Sequence, residues 1–371
     1  MDFWKAVRGR SRLFVLAAVF CLFASIGLIA LQMSTGRLST GEIVLHVLFS
    51  GGFAVGYFLL LIDRKYWYFA VLIGVQVVLS RLLLKVPGTR ENLTGPALHR
   101  QHAVLATCAI VAIVAAYSLM IHLFTVEGKR YFQISTEIAL ASEIHRSLVP
   151  ACAANVGGFE IYGASVPSGE VGGDLVDVML SPEEWIGYVA DVSGHGVQSG
   201  VMMAMFKTAL HAQIASGGSV GRMLGAVHRT LFPLKMSNMF VTVEVLRGGT
   251  GGRTTFASGG HPPMLHYHKR DGSVSEHGAL DAPLGVTAEQ EFSESAIQCE
   301  VGDVLLILTD GMTEVFDKRG NELGLAPIKE ALRKHIDSPL QELFSKLRQV
   351  STGFGTQSDD QTMLLARYRA E

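Results

Sequence analysis

The sequence predicts an α+β fold for its second half, preceded by an all-α membrane region. Hydrophobic residues make up 49% of the 371 residues, and mean hydropathy is +0.33, which is high for a wholly soluble protein. Before residue 125 the chain holds apolar runs long enough to cross a bilayer. After residue 158 it holds short strand-like runs and interspersed helical patterns, without strict alternation of strand and helix. This arrangement favours antiparallel sheets covered by helices over a parallel sheet.

The apolar runs predict a transmembrane domain of four helices within residues 1–124. The runs are residues 13–33, 43–62, 66–84 and 103–124. A cleaved signal peptide is the alternative for the first run, but the run is longer than a typical signal core and lacks a small-residue cleavage motif. Lys and Arg are enriched before the first run, after the second and after the fourth, which predicts that these segments face the cytoplasm. We therefore expect a multi-pass protein of the inner membrane, with the lipid bilayer as a partner and with both termini in the cytoplasm.

Residues 125–158 are predicted to form a helical connector followed by a linker. Apolar and small residues recur there at alternating spacings of four and three, which is the pattern of a short heptad seam. The seam consists of Ile134, Ile138, Ala141, His145 and Leu148. Pro150 ends the helical pattern, and the small residues 151–158 fit a domain boundary. The seam predicts a homodimer through the connector helix, whereas a surface helix packed on the next domain is the alternative.

Charge and cysteine content exclude several classes of function. The net charge of -2 and the lack of a local basic patch argue against nucleic acid as a partner. The cysteines show neither disulfide-framework nor zinc-site spacing. They are Cys21, Cys108, Cys152 and Cys299.

Residues 159–371 are predicted to form the α+β domain. The expected strands are residues 159–166, 174–180, 185–192, 240–246, 253–258, 264–267, 304–308 and 363–368. The expected helices are residues 197–214, 220–231, 325–335 and 339–350. The glycine run 248–252 lies between two strands and is not followed by a helix, so it is interpreted as a hairpin connection and not as a phosphate-binding loop.

Aspartates at the ends of predicted strands are the candidate functional residues of this domain. Asp174 begins a strand, Asp191 ends one, Asp310 follows one, and the pair Asp359 and Asp360 precedes the last. Each of them taken alone is more typical of a turn. If they converge, their mutual repulsion requires a compensating cation, and an oxygen-only ligand set without His or Cys selects Mg²⁺ or Mn²⁺.

Six short motifs resemble, in order and spacing, the signatures of the SpoIIE-type branch of the metal-dependent PPM serine/threonine phosphatases. They are EVGGD at 170–174, DVSGHG at 191–196, GHPP at 260–263, PLGV at 283–286, LTDGMTE at 308–314 and DDQT at 359–362. The resemblance covers residues 159–369. It implies an α-β-β-α sandwich of two antiparallel sheets flanked by helices, with two divalent cations, Mn²⁺ or Mg²⁺, bound between the sheets.

The resemblance also assigns roles to individual residues. Asp191 would bridge both cations, Asp174 and the backbone carbonyl of Val192 would hold one, and Asp310 and Asp359 would hold the other. Glu170, Gly173, His195 and Asp360 would be neighbours of the site. Histidine side chains titrate near neutral pH, so His195 is a candidate general acid. However, it stands four residues after Asp191, whereas the eukaryotic type 2C relatives place their histidine two after the matching aspartate, so the role does not carry over.

The activity that the resemblance implies is hydrolysis of phosphoserine or phosphothreonine in a cytoplasmic regulatory phosphoprotein by metal-activated water. It suggests an anti-sigma-factor antagonist of the STAS type as the substrate. The sequence supports a metal-dependent mechanism, because no cysteine is followed six positions later by arginine, as a cysteine-based phosphatase requires. Two alternatives stay open: a catalytically weak membrane receptor or scaffold built on a phosphatase fold, and a metal-dependent phosphodiesterase.

Overall fold

The computed structural model describes residues 10–63, 65–83, 93–125, 129, 136, 142–143, 145–169, 171–194 and 196–370. It forms two compact units, Met1–Ser135 and Thr136–Glu371, which are considered separately. Several residues singled out in the sequence lie outside the described residues. They are Glu170, His195 and the seam residues Ile134, Ile138 and Ala141.

The N-terminal unit consists of apolar helices: α1 (Arg10–Leu31), α2 (Thr40–Ile62), α3 (Tyr68–Leu83) and α4 (Pro96–Leu123). A capping box starts α2, because Glu42 N–H donates to the Ser39 hydroxyl while the Glu42 carboxylate accepts from Ser39 N–H. Small residues let α1 and α2 pack closely. A Cβ atom at Gly51 would lie 2.6 Å from the ring of Phe20 on the facing helix.

Three of these helices, α1, α2 and α4, are long and apolar enough to cross a membrane. The apolar stretch of α3, Tyr68–Arg81, is shorter than the roughly 20 residues that a helical span needs. The prediction of four spans is therefore not confirmed. The described residues show three candidate spans and one shorter apolar helix, which Tyr57 of α2 holds through a 2.7 Å hydrogen bond to Gln76.

The C-terminal unit contains two antiparallel sheets. One has the strand order β1-β2-β11-β10-β7-β8 and the other β3-β4-β5-β6-β9. The strands are β1 (Cys152–Val156), β2 (Phe159–Val166), β3 (Asp174–Leu180), β4 (Glu184–Val192), β5 (Val241–Gly249), β6 (Arg253–Gly259), β7 (Met264–Tyr267), β8 (Val274–His277), β9 (Ser295–Gln298), β10 (Val304–Leu308) and β11 (Gln361–Tyr368). The helices are α5 (Val197–Ser216), α6 (Val220–Leu231), α7 (Ala326–His335) and α8 (Leu340–Phe354). The predicted α+β class is confirmed.

Three hydrophobic layers hold this unit together. Residues such as Phe159, Trp185 and Leu246 fill the space between the sheets. One outer layer joins α5 and α6 to the second sheet, and the other joins α7 and α8 to the first. The alternation of side chains along each strand supplies one face to the inner layer and one to a helix layer, which gives a helix-sheet-sheet-helix sandwich.

Three strands escaped the sequence analysis, and each is an edge or near-edge strand with weak hydrophobic alternation. β1 forms within residues 151–158, which were expected to be a linker, and pairs with β2 with Cys152 opposite Gly163. β8 and β9 close the other edges of the two sheets. Half-exposed edge strands carry few apolar residues, so their amino-acid composition is similar to that of a linker. The glycine run 248–252 is the hairpin connection between β5 and β6, as predicted.

Candidate metal centre

Two of the predicted aspartates lie side by side at one end of the second sheet. Asp174 begins β3, and Asp191 stands next to last in β4 and is its register partner. Directly opposed residues of an antiparallel pair project to the same face. Two positions further along each strand, Val176 and Val189 belong to the layer between the sheets. Asp174 and Asp191 therefore face the end of the space between the sheets.

The other two aspartates come from the first sheet. Asp310 follows β10 and opens a short 3₁₀ turn, Asp310–Met312. Asp359 precedes β11, whose first half pairs with the end of β10, with Leu308 opposite Met363. Asp310 and Asp359 of the first sheet thus lie at the same end of the sandwich as Asp191 of the second sheet. The negative charges of Asp310 and Asp359 raise the pKa of Asp191.

The electrostatics of this cluster indicate a cation site. Burial, followed by repulsion from Asp310 and Asp359, raises the pKa of Asp191 to about 7. Burial and repulsion from Asp191 raise the pKa of Asp174, and burial raises that of Asp310, with Glu314 adding repulsion. Carboxylates held in this way ionise together only when a cation compensates their charge. The donor set is oxygen only, which fits hard divalent cations.

Asp360 uses its carboxylate to hold the start of β3. Its Oδ1 accepts from Ser168 N–H at 2.7 Å, and its Oδ2 accepts from Gly173 N–H at 2.7 Å and from Asp174 N–H at 3.3 Å. Asp360 is 3% exposed, so these backbone groups take up its lone pairs. Asp360 therefore positions the backbone at Asp174, whereas its neighbour Asp359 is exposed.

Gly172 and Gly173 of the EVGGD motif are required because the loop that contains them lies close to the site. A Cβ atom at Gly172 would overlap the Asp360 carboxylate, and one at Gly173 would lie 2.7 Å from the carbonyl oxygen of Val192. Val192 N–H in turn donates to Gly173 at 3.1 Å. The Val192 carbonyl is therefore held against the loop that carries Asp174, where the resemblance implies a backbone ligand.

Two residues of the centre were missed by the sequence analysis. Thr309 is fully buried, and its hydroxyl donates to Oδ2 of Asp174 at 2.8 Å while accepting from Thr362 N–H at 3.2 Å. Glu314 is exposed and adds negative charge beside Asp310. Both lie in the LTDGMTE motif, and a hydroxyl residue at the end of an otherwise apolar strand is the signal that could have indicated Thr309.

The aspartates are not the tightest group of possible ligands. Among the described residues, the group whose three ligand atoms lie within 4.8 Å of one another is His266, His268 and Asp303.

A polar pair formed by half-buried Thr242 and buried His261 lies beside the centre. Thr242 of β5 is the register partner of Asp191, and its hydroxyl is 3.0 Å from Nδ1 of His261. Burial lowers the pKa of His261 to about 3. His261 is therefore a neutral imidazole that supports the strand carrying Thr242.

Comparisons with known proteins agree with this geometry. The family described as "Stage II sporulation protein E (SpoIIE)" matches residues 181–369. The chain is 24% identical over 216 residues to the phosphoserine phosphatase RsbU of Bacillus subtilis, and the match covers 58% of this chain and 64% of RsbU. The chain therefore spans slightly less than two thirds of that curated relative.

Two solved structures have a similar fold. The RsbU and RsbW domains of a Mycobacterium tuberculosis protein are 27% identical, with a TM-score of 0.55, over 61% of this chain and 64% of that one. The SiaA-PP2C domain of Pseudomonas aeruginosa has a TM-score of 0.55 and 20% identity over 64% of this chain and 98% of that one. The family match over half of the chain, together with the sandwich and its aspartates, shows that this protein belongs to the SpoIIE family.

Proposed function

We propose that this chain is a membrane-anchored, Mn²⁺- or Mg²⁺-dependent phosphatase that removes phosphate from phosphoserine or phosphothreonine in a cytoplasmic protein. The observation that carries the proposal is the convergence of aspartates from both sheets, with a raised pKa at Asp191. The name of the relative RsbU, a phosphoserine phosphatase, supports the choice of substrate class.

The proposed ligand sets follow from where the backbone delivers each group. Asp174 and the Val192 carbonyl lie on the second sheet and would hold one cation. Asp310 and Asp359 lie at strand ends of the first sheet and would hold the other. Asp191 is repelled by both of the latter and stands opposite Asp174, so it is suited to bridge the two cations.

The chemistry requires no protein nucleophile. When bound, two divalent cations lower the pKa of a water molecule and neutralise the charge of phosphoryl oxygens. The chain's own contribution is orientation. Asp360 fixes the backbone at Asp174, and Thr309 fixes its carboxylate, so that the ligand positions are set before substrate arrives.

The N-terminal unit would anchor the enzyme. α1, α2 and α4 are candidate spans, and we propose α3 as a fourth, which would place both termini on the cytoplasmic side. This arrangement fits a chain with membrane helices to residue 124, a connector to residue 158 and a catalytic domain from residue 159.

We propose an anti-sigma-factor antagonist of the STAS type as the phosphoprotein substrate. We also propose that two chains pair through the connector helix.

The test is phosphate release by the full-length protein in detergent. Phosphoserine-containing casein is offered with Mn²⁺, with Mg²⁺ and with excess chelator. We expect turnover with either cation and none with chelator. Full turnover in chelator contradicts the proposal, and so does hydrolysis of bis-p-nitrophenyl phosphate without hydrolysis of the phosphoprotein, which indicates a phosphodiesterase. A folded protein that binds Mn²⁺ but hydrolyses neither substrate indicates the scaffold alternative.

A further inference from the structure

A second group of possible metal ligands lies at the other end of β10 from the aspartate centre. Asp303 immediately precedes β10 and Asp310 follows it, so the two are separated by roughly 20 Å of extended chain. Around Asp303, Nε2 of His266 is 3.0 Å and Nδ1 of His268 is 4.0 Å from Oδ2. One ligand atom from each of the three residues lies within 4.8 Å of the others.

The sheet fixes the positions of these side chains. His266 lies in β7 opposite Leu305 of β10 and opposite Ser275 of β8. His268 follows two positions later, so it projects to the same face as His266, and the two rings lie with their centroids 3.9 Å apart and their planes tilted by 41°. Both histidines thus meet Asp303 through the register of β7 and β10.

Asp303 is held rigidly by the backbone. Its Oδ1 accepts from Lys269 N–H at 2.8 Å, and its Oδ2 accepts from Glu300 N–H at 2.9 Å. Asp303 and His266 are each 2% exposed, whereas the His268 side chain is 34% exposed. The group therefore has two fixed members, and His268 is a third that solvent and ions can reach.

The remaining nitrogen of His268 has a hydrogen-bonding partner of the kind that metal-binding histidines use. Its Nε2 is 2.8 Å from the hydroxyl of Ser275, which is itself 3.0 Å from Nε2 of His277. Such an outer contact orients the ring and leaves the other nitrogen as the ligand. In His268 that nitrogen is Nδ1, which faces Asp303.

The chemistry of the group suits a cation. Imidazole nitrogens bind metals in their neutral form, and the Asp303 carboxylate beside them supplies negative charge.

We propose that His266, His268 and Asp303 form a transition-metal site, best suited to Zn²⁺, that is separate from the aspartate centre. Two imidazoles and a carboxylate favour Zn²⁺ over the hard cations expected at the aspartates. Tetrahedral ligands about 2.0–2.2 Å from zinc lie about 3.4 Å apart, so closing the site requires a shift of at most about 1.5 Å, which the half-buried His268 can make. A bound ion would tie the β7–β8 hairpin to the start of β10.

The experiment measures Zn²⁺ and Co²⁺ binding to the full-length protein in detergent, against a chromophoric chelator. In the Asp310→Asn background, which weakens the aspartate centre, we expect one Zn²⁺ that excess Mg²⁺ does not displace. Co²⁺ in that site should give the visible absorption of a tetrahedral nitrogen and oxygen environment. His268→Ala should weaken Zn²⁺ binding at least about tenfold. His335→Ala, a matched change on α7 outside the group, should leave it unchanged.

Thermal unfolding gives a second readout of Zn²⁺ binding that does not rely on the metal-binding titration. In the Asp310→Asn background, Zn²⁺ should raise the Tm of the protein with and without His335→Ala, but not that of the protein with His268→Ala, because binding to the folded state alone stabilises it. The proposal is overturned if His268→Ala binds Zn²⁺ as tightly as the wild type. It is also overturned if the Zn²⁺ is displaced by Mg²⁺ or is absent in the Asp310→Asn background, since the histidines would then form only a hydrogen-bonded cluster.

Discussion

The hydroxyl of Thr309 donates to Oδ2 of Asp174 across 2.8 Å and so links the end of β10 in one sheet to the start of β3 in the other. The two residues are 135 positions apart in the chain. Because both are buried, the bond fixes the carboxylate of a proposed cation ligand in one sheet by a residue of the other.

Thr309→Val should reduce turnover by about 10- to 100-fold and raise the Mn²⁺ concentration needed for half-maximal activity. The replacement keeps the shape of the side chain but removes the donor to Asp174. Thr309→Ser retains the hydroxyl and should stay within a few-fold of the wild type. Phosphate release as a function of Mn²⁺ concentration checks both variants, and equal metal dependence in Thr309→Val and wild type would contradict the assigned role.

Gly173→Ala should impair the centre because the added Cβ would lie 2.7 Å from the Val192 carbonyl oxygen. The backbone must shift, and the proposed Val192 ligand shifts with it. Gly353→Ala is the matched control, since no atom lies within 4 Å of the added Cβ in α8, and it should stabilise the helix by about 0.5–1 kcal/mol. Mn²⁺ titrations and thermal unfolding of both variants test this contrast, which fails if both bind Mn²⁺ like the wild type.

Glu244 should make the stability of the catalytic unit depend on pH. Burial raises its pKa from 4.5 to about 8, so the folded protein holds a proton that the unfolded chain releases. The stability from this proton is fully present below about pH 4.5 and is lost as pH rises to about 8. Glu244→Gln stays neutral, so at pH 8 it should unfold at a higher temperature than the wild type, with a free energy of unfolding larger by on the order of a few kcal/mol. Parallel Tm profiles of the two proteins between pH 5 and 8 would refute this prediction.

The connector should control assembly if its seam pairs two chains. Its last residues pack on the catalytic unit, where the Leu148 carbonyl accepts from Lys207 Nζ at 2.5 Å. Ile138→Asp would introduce a charge into the predicted seam, so we expect cross-linked dimer and phosphatase rate both to change. Arg146→Asp places the same side chain at an exposed position and should change neither. A monomeric wild type, or an unaltered Ile138→Asp variant, would argue against pairing.

The strands that hold the site could be predicted because their apolar runs are buried on both faces or alternate clearly. β3, β7 and β10 have the predicted bounds. What could not be predicted depends on register between distant strands. Asp359 and Asp360 are adjacent and chemically identical. Asp360 is the one that accepts hydrogen bonds from backbone N–H groups, because the loop at Gly173 lies next to it. Likewise, His266 in β7 and His268 just after it meet Asp303 only because β7 pairs with β10.

The role of the aspartates in holding the catalytic cations is tested by the phosphate release rates of Asp191→Asn and Asp337→Asn at saturating Mn²⁺. Asp337 is an exposed aspartate that pairs with Lys269 at 2.8 Å, so its variant controls for loss of a carboxylate elsewhere. If the aspartates hold the catalytic cations, Asp191→Asn should be folded and at least about a hundredfold slower than the wild type, with Asp337→Asn unchanged. A folded Asp191→Asn protein that turns over at the wild-type rate would contradict the account.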